Sequence, residues 1–399
     1  DPETGRSKPK WVGGFETEDA AKEARDDARV KAYRGEYVDK SSITVAEYLD
    51  EWLASHAVEV KPTTLAGYRH MIELYVKPHI GSKRLQTIRP ATLTKLYRDL
   101  RESGGRNGKA LSVRTVNYTH AVLRKALNDA VQVEYLIPSN PADRAKRPKK
   151  DHRMKKTWWS TDELAIFLDA VKDHPLYSLF HMAAYTGARR GELLNLRWPD
   201  IDWKKQEVTI RGTVSVVDGD RVEGTTKGGM ERVVSLDQGT LRVLKAHRKH
   251  QAAAAMELGE AWSNPEGYVF TAGTGAPLYP DTPSQTMARL IRDYNDPKDG
   301  DPPRKKLPHA RFHDLRHVHA TTLLLAGVPV HVVAERLGHA DPSITLRVYA
   351  HVIRRHAAGV ADVFAAAMGG DGLAADQPPI VTPDDPEDED PPAAAAVPC

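Results

Sequence analysis

The chain reads as a mainly α protein with a small antiparallel β-sheet, an α+β class. Three observations predict this. Between residues 43 and 137, apolar residues recur at helical spacing behind recognisable caps. Between 202 and 236 the pattern changes to β-branched alternation, with turns at Asp218-Gly219 and Lys227-Gly-Gly229. Past residue 240 the helical spacing returns.

Each element has its own signal. Residues 8–15 read as a single strand, and Thr17 caps a charged helix from Glu18 to Tyr33; one strand and one helix cannot bury a core alone. Thr44-Val-Ala-Glu47 is a capping box ahead of Tyr48, Leu49, Trp52 and Leu53. Lys61-Pro-Thr starts a second helix with Leu65, Tyr68, Ile72 and Tyr75 on one face. Thr87 opens a third with Leu93, Leu96 and Leu100, and Ser112 a fourth with Val116, Leu123 and Leu127. The glycines of residues 104–109 do not make a phosphate loop, because Ser103 stands where a glycine is needed and Ala110 where a hydroxyl is needed. Residues 140–156 are basic and proline-punctuated, the composition of an interdomain linker. Ser160-Thr-Asp-Glu163 caps a helix carrying Leu164, Phe167 and Leu168, and residues 176–185 form a largely buried helix. Strands are expected at 202–211, 212–218 and 221–236, a helix at 240–258, and a Pro/Asp/Lys-rich loop at 296–308. Ile353, Ala357, Val360, Phe364 and Met368 mark a last amphipathic helix. Beyond Gly369, Pro, Asp and Ala dominate, and disorder is expected.

Composition excludes several classes. With 40% hydrophobic and 28% charged residues and no long apolar run, the chain is expected to be soluble, with no membrane partner. Its N-terminus lacks the apolar core of a signal peptide and an initiator Met, which suggests processing. Cys399 is the only cysteine, so disulfides within the chain and Cys-based zinc sites are excluded, and a reducing, intracellular setting is expected. Residues 369–399 hold eight acids and no Lys or Arg, so the net charge of +3 hides a body more basic by eight charges. A basic body with an acidic tail suits a nucleic-acid partner.

The chemistry concentrates in Arg311-Phe-His-Asp-Leu-Arg-His-Val-His319, Leu337-Gly-His339 and Tyr349. His313 and Arg316, at i and i+3, share one face of a helix. Gly338 reads as a left-handed helix cap that holds His339 just beyond the helix end. Asp341-Pro342 reads as the start of the next helix, which carries Tyr349. Cationic and proton-donating groups with a tyrosine, all at helix ends, suit attack on a phosphodiester; a carbonyl site would call for a Ser or Cys with a base.

His-x-x-Arg, then Leu-Gly-His, then Tyr349 after nine intervening residues resembles the C-terminal half of the tyrosine recombinase (phage integrase) catalytic domain. Thr186-Gly-Ala-Arg-Arg-Gly-Glu192 resembles that family's first arginine box, and Thr225-Thr-Lys-Gly-Gly-Met-Glu-Arg232 its lysine hairpin. The resemblance spans roughly residues 41–368. It implies a partial arm-site DNA-binding region at 1–40, a four-helix core-binding domain at 41–139, the linker at 140–156, a catalytic domain at 157–368 and the acidic tail at 369–399. The two domains would form a C-shaped clamp on DNA.

It also implies a site-specific recombinase that integrates a phage or mobile element through a covalent 3′-phosphotyrosine. Tyr349 is then the nucleophile. Arg189 and Arg316 hold the phosphate oxygens with His339, His313 takes the nucleophile's proton, and Lys227 is the leaving-group acid. Glu192 orients an arginine or histidine behind them. Neither ATP nor a metal is required. The helix starts at Lys61, Thr63, Ser112 and Arg114 offer groups to DNA phosphates. The implied partners are double-stranded DNA attachment sites, further copies of the chain in a tetramer, and an excisionase or DNA-bending protein. The implied location is the bacterial cytoplasm, on the nucleoid when active. The segment from Ile353 to Met368 is expected either to dock on a neighbouring protomer or to fold back on its own.

Three alternatives stand beside this. His313, His317 and His339 make a zinc-hydrolase ligand trio, although Asp314 replaces the usual Glu base and Arg316 opposes a metal cation. A DNA-binding regulator without catalysis shares the basic body. A type IB topoisomerase shares the phosphoryl-transfer constellation.

Overall fold

In the computed structural model, described over residues 12–33, 38–149, 158–226, 229, 231–297, 304–339, 341–343 and 345–346, several helices begin where a short polar side chain takes up a first N–H group. Helix α1 (Glu18–Tyr33) starts with Thr17 Oγ1 accepting the Ala20 N–H at 3.2 Å, and most of its residues are exposed. Residues 12–15 lie outside any strand, and residues 8–11 of the expected strand lie outside the described residues.

The first core is helical. Helix α2 (Val45–His56) opens on the expected capping box, with Thr44 Oγ1 accepting from the Glu47 N–H at 3.3 Å and Glu47 Oε2 accepting from the Thr44 N–H at 2.8 Å. Helix α3 (Pro62–Met71) runs through a π segment (Ile72–Val76) into α4 (Lys77–Ile80). Pro78 explains the widened turn: it lacks an N–H and its ring crowds the carbonyl four residues back, so Lys77 N–H bonds the Ile72 carbonyl instead. Helix α5 (Pro90–Ser103) begins three residues later than the sequence suggests. Arg89 precedes a proline and is driven extended (φ −115°, ψ 161°), which delays the helix. Helix α6 (Val113–Gln132) starts on Ser112, whose Oγ accepts the Thr115 N–H at 3.1 Å. Leu49, Ile72, Leu93, Leu96 and Leu123 fill this core, and Trp52 stacks on Tyr68 there as core rather than as a base-stacking platform.

The second core gathers α7 (Thr161–Ala170), α8 (Tyr177–Thr186), the one-turn α9 (Arg190–Leu193) and, from five short strands, residues of all but the fourth. The strands are β1 (Ile201–Asp202), β2 (Glu207–Ile210), β3 (Gly212–Val217), β4 (Asp220–Thr225) and β5 (Arg232–Ser235). The order β1-β2-β5 makes one antiparallel sheet, with Val208 opposite Val234, while β3 and β4 form a separate hairpin. Asp218 (φ 51°) and Gly219 (φ 96°) close that hairpin with the paired left-handed residues that match strand twist. The expected strand at 221–236 is thus two strands in different sheets. Helices α10 (Gln238–Leu258), α11 (Thr282–Asn295), α12 (Asp314–Leu325) and α13 (Val330–Leu337) follow. Phe167, Phe180, Leu193, Val234, Leu244, Met287 and Leu315 share the core. Helix α11 carries no sequence expectation; it buries Pro283, Met287 and Ile291, one residue per turn, and its Asn295 side chain bonds both backbone groups of Leu307 at 2.7 Å.

The described residues fall into two compact units: those up to 319 together with 336–338, and 320–335 together with those from 339 on. Among the described residues no helix is long and apolar enough to cross a membrane.

Candidate active site

The site is built on a helix stop followed at once by a helix start. Gly187 ends α8 in the left-handed region (φ 63°), and a Cβ there would meet Leu337 Cδ2 at 2.7 Å and His319 Cδ2 at 2.8 Å. Arg189 is extended and is the N-cap of α9, so Glu192 at the third helical position turns back to it. Glu192 Oε2 accepts the Arg189 N–H and Oε1 accepts its Nη1–H, both at 2.8 Å.

Glu192 also receives a second arginine. Arg232, the first residue of β5, donates from Nη1 to Oε1 at 3.1 Å and from Nη2 to Oε2 at 2.6 Å. This two-pronged match is the strong form of a charge-assisted bond. Glu192 is 1% exposed and the Arg232 side chain 10%. Burial alone would raise the Glu192 carboxyl, but the bonds and charge of Arg232, then of Arg189, outweigh it and hold it below its ordinary range.

The same cations hold three consecutive carbonyls. Arg232 Nε donates to Arg336 O at 3.1 Å, Arg316 Nη2 to Leu337 O at 2.7 Å, and Arg189 Nη2 to Gly338 O at 3.1 Å. Arg316, 3% exposed, donates its Nη1 to Gly187 O at 2.7 Å. The last carbonyls of a helix have no partner within it and carry partial negative charge, so they are natural acceptors for guanidiniums. Three cations thus converge here against one carboxylate. Gly338 takes the left-handed conformation (φ 68°) that its sequence position predicts.

His313 lies in the turn just ahead of α12 rather than inside it, since the Asp314 carboxylate takes the Arg311 N–H at 2.8 Å and delays the helix. Its residue surface is exposed, and its ring meets His317 edge-on at 5.1 Å. Desolvation of the imidazole, then the charge of Arg316, push it below its usual range, with Asp314 opposing. His317 stacks on Trp158 at 4.1 Å. In the second unit, His339 donates its backbone N–H to Ala334 O at 2.9 Å, and its Nδ1 lies 2.7 Å from Thr345 Oγ1. Arg190 points elsewhere, pairing with Asp281 at 3.0 Å and Ser284 at 2.8 Å, as a salt-bridged residue rather than part of the site.

The expected site residues Lys227 and Tyr349, the segment from Ile353 to Met368 and the acidic tail lie outside the described residues. The four helix-start residues have separate surroundings. Lys61 Nζ donates to Thr225 Oγ1 and Thr226 O, both at 3.1 Å, and Ser112 caps α6. Thr63 and Arg114 are exposed in the first turns of α3 and α6.

Two participants carry no assignment from the sequence: Arg232, although it closes the lysine-hairpin motif, and the pair His319–Arg336. Arg336 Nε–H donates to His319 Nε2 at 3.0 Å. A guanidinium only donates, so that ring nitrogen is bare and the proton sits on Nδ1. Burial, then Arg336, pull the His319 pKa down to about 4, with a backbone bond to Ala184 opposing. An unfolded histidine titrates near about 6.5. Between those values the unfolded chain binds the extra proton, so this group's contribution to stability is complete above pH of about 6.5 and is lost as pH falls toward 4. His319→Gln, which keeps an acceptor near the Nε2 position, is expected to lose less thermal midpoint between pH 7 and 4.5 than the parent. Equal losses would show that His319 does not drive the acid limb.

Comparison with known proteins defines the class. The Phage integrase family model matches residues 158–356, and the model for the phage integrase N-terminal SAM-like domain matches 44–101. The ICEBs1 integrase of Bacillus subtilis is 30% identical over 318 residues, spanning 78% of this chain and 80% of that one. A tyrosine recombinase XerC-like protein of Caldanaerobacter subterraneus is 29% identical over 336 residues, spanning 79% and 81%. In fold, the chain is similar to the Tn1549 transposon integrase in complex with transposon right end DNA (TM-score 0.65, 18% identity, 80% of this chain and 99% of that one). It is also similar to a lambda integrase dimer bound to a COC′ core site (TM-score 0.54, 17% identity, 81% and 80%).

The chain belongs to the phage integrase family. It is a tyrosine recombinase, an enzyme that cleaves and rejoins DNA by site-specific recombination. The zinc-hydrolase and regulator alternatives find no support in these relatives. Among the described residues, no three His, Cys, Asp or Glu side chains gather as a metal-ligand set.

Proposed function

We propose that this recombinase integrates its phage or mobile element through Tyr349 as nucleophile, with Arg189, Arg316, His313, His339 and Lys227 as its catalytic partners. The observation that carries the reading is the convergence of Arg189, Arg232 and Arg316 on the carbonyls of residues 336–338. A phosphodiester under attack builds negative charge on its non-bridging oxygens. Guanidiniums fixed in advance stabilise that charge without reorganising.

In the proposed step the Tyr349 oxygen bonds to phosphorus and the bond from phosphorus to the 5′ oxygen breaks. Arg189 and Arg316 take the non-bridging oxygens, with His339 as a further donor. His313, held neutral, accepts the phenolic proton; a phenol with a pKa of about 10 needs that help near neutrality. Lys227 gives a proton to the leaving 5′ oxygen. The resulting 3′-phosphotyrosine conserves the bond energy, and attack by a new 5′ hydroxyl rejoins the strands.

The substrates are a pair of double-stranded DNA attachment sites, with Lys61, Thr63, Ser112 and Arg114 contacting phosphates from their helix starts. The assembly is a tetramer on DNA; a lambda integrase tetramer bound to a Holliday junction is similar to this chain in fold. The site of action is the cytoplasm of a bacterium, with an excisionase or DNA-bending protein as accessory partner. Residues 353–368 dock on a neighbouring protomer, which ties cleavage to assembly.

Two experiments test this. Incubation with supercoiled DNA carrying candidate sites should yield covalent adducts and strand exchange; relaxation of any supercoiled DNA without strand exchange would favour a topoisomerase. Separately, Lys227→Ala should slow cleavage of an ordinary phosphodiester by about 10²–10⁴-fold, the usual value of a general acid. A 5′-bridging phosphorothiolate, whose leaving group needs little protonation, should restore most of that rate. Equal defects on both substrates would assign Lys227 to binding.

A further inference from the structure

Three guanidiniums of the site share one reference frame, the carbonyls of Arg336, Leu337 and Gly338. Whatever fixes this short stretch fixes all three arginines together, and whatever lets it slip displaces all three. The Arg336 side chain is placed to do the fixing. Its Nη2 donates to Tyr185 O near the end of α8 and to Ser235 O at the end of β5, both at 3.1 Å. Its Nη1 reaches Ser235 Oγ and its Nε reaches His319 Nε2, both at 3.0 Å. One side chain therefore ties the 336–338 stretch to three elements of the second core.

His319 completes the clasp. Its bare Nε2 is the only acceptor in the set that belongs to a side chain ring, and the ring itself packs beneath Gly187, whose carbonyl anchors Arg316. A proton on Nε2 would set two cations 3.0 Å apart and open the contact.

We propose that Arg336 and His319 are positioning residues for strand cleavage, a clasp that sets the register of Arg189, Arg232 and Arg316 without touching DNA. This rests on the reading that Arg189 and Arg316 hold the scissile phosphate. Misplacing catalytic groups by about 1 Å costs on the order of 100-fold in rate. The clasp thus acts on the rate of the bound complex rather than on the grip on DNA.

The test uses the full chain and nicked duplexes drawn from a random-sequence pool, recovered as covalent adducts of the parent protein. Adduct formation is followed at varied DNA concentration, beside thermal unfolding. His319→Leu removes the acceptor at similar volume, and is expected to lower the saturating rate about 100-fold while the half-saturating DNA concentration stays within about twofold. His319→Gln restores an acceptor and should return most of that rate. A parental rate in His319→Leu overturns the proposal, as does a His319→Gln defect as deep as that of Leu. If His319→Leu does not fold, Arg336→Lys decides. It keeps the charge, but a single ammonium cannot span Ser235, Tyr185 and His319 at once, so the same selective rate loss is expected and a parental rate overturns the clasp. Arg189→Ala serves as the control: if it cleaves normally, the phosphate reading itself is wrong, whereas loss there with normal cleavage in the clasp variants refutes only the clasp.

Discussion

Tyr349→Phe is expected to abolish the covalent protein–DNA adduct while DNA binding remains near the parental level. The substitution removes one oxygen and keeps the ring. Chemistry is another matter, because on the proposed mechanism it is the Tyr349 oxygen that bonds to phosphorus. The expected loss is therefore complete rather than partial, unlike the graded loss from removing an acid or an arginine, whose tasks water or a neighbour partly takes over. The measurement pairs a gel shift with denaturing electrophoresis of the product on a nicked suicide duplex. A Phe variant that still forms adducts would assign the nucleophile to a different residue.

Glu192→Leu is expected to be the most damaging single change to stability among the described residues of the site. The carboxylate is 1% exposed and receives four bonds from two arginines, three from their guanidiniums and one from the Arg189 backbone N–H. Truncating one partner of a buried ionic cluster leaves the others charged and unmatched, at a cost of about 3–5 kcal/mol. Glu192→Gln keeps the shape and part of the hydrogen bonding, so its loss should be smaller. The double variant Glu192→Leu with Arg232→Met should recover part of the loss, because it removes an orphaned charge along with its partner. Urea midpoints of the three proteins check this, and a Leu variant within about 0.5 kcal/mol of the parent would mean that solvent reaches the cluster. Cleavage should fall along with stability, since Arg189 and Arg232 lose a common anchor.

Much of the secondary structure was legible because its signals are local. Thr44 with Glu47, Ser112 with Thr115 and Ser160 with Glu163 each close a cap within three residues, and the observed bonds join those very pairs. Gly338 marks a helix stop by conformational freedom alone, and it has a positive φ. Elements without such local signals are less legible. Helix α11 buries only one residue per turn among arginines and polar residues, too thin a stripe to stand out. The stretch 221–236 alternates throughout, and alternation says nothing about which sheet a strand joins. The delayed start of α5 needed the steric effect of Pro90 on Arg89 to be weighed above helical spacing.

For the candidate site, the sequence by itself determined which groups are on offer and the proposal draws its inventory from them: a tyrosine, two boxed arginines, a hairpin lysine and the histidines, at spacings that resemble a family whose membership the relatives establish. Tertiary structure decided which of those groups share a partner. Glu192 lies three residues from Arg189, within reach of local geometry, but its bond to Arg232 spans 40 residues and the anchoring of Arg189 on Gly338 spans 149. His319 and Arg336 sit 17 residues apart, and nothing in their spacing pairs them. The physical reason is range. A cap or a glycine turn is specified by atoms within about one helical turn. The meeting of distant charges waits on the burial of a hydrophobic core, where an unpaired ion costs too much to tolerate and each must find a partner among those the core brings near.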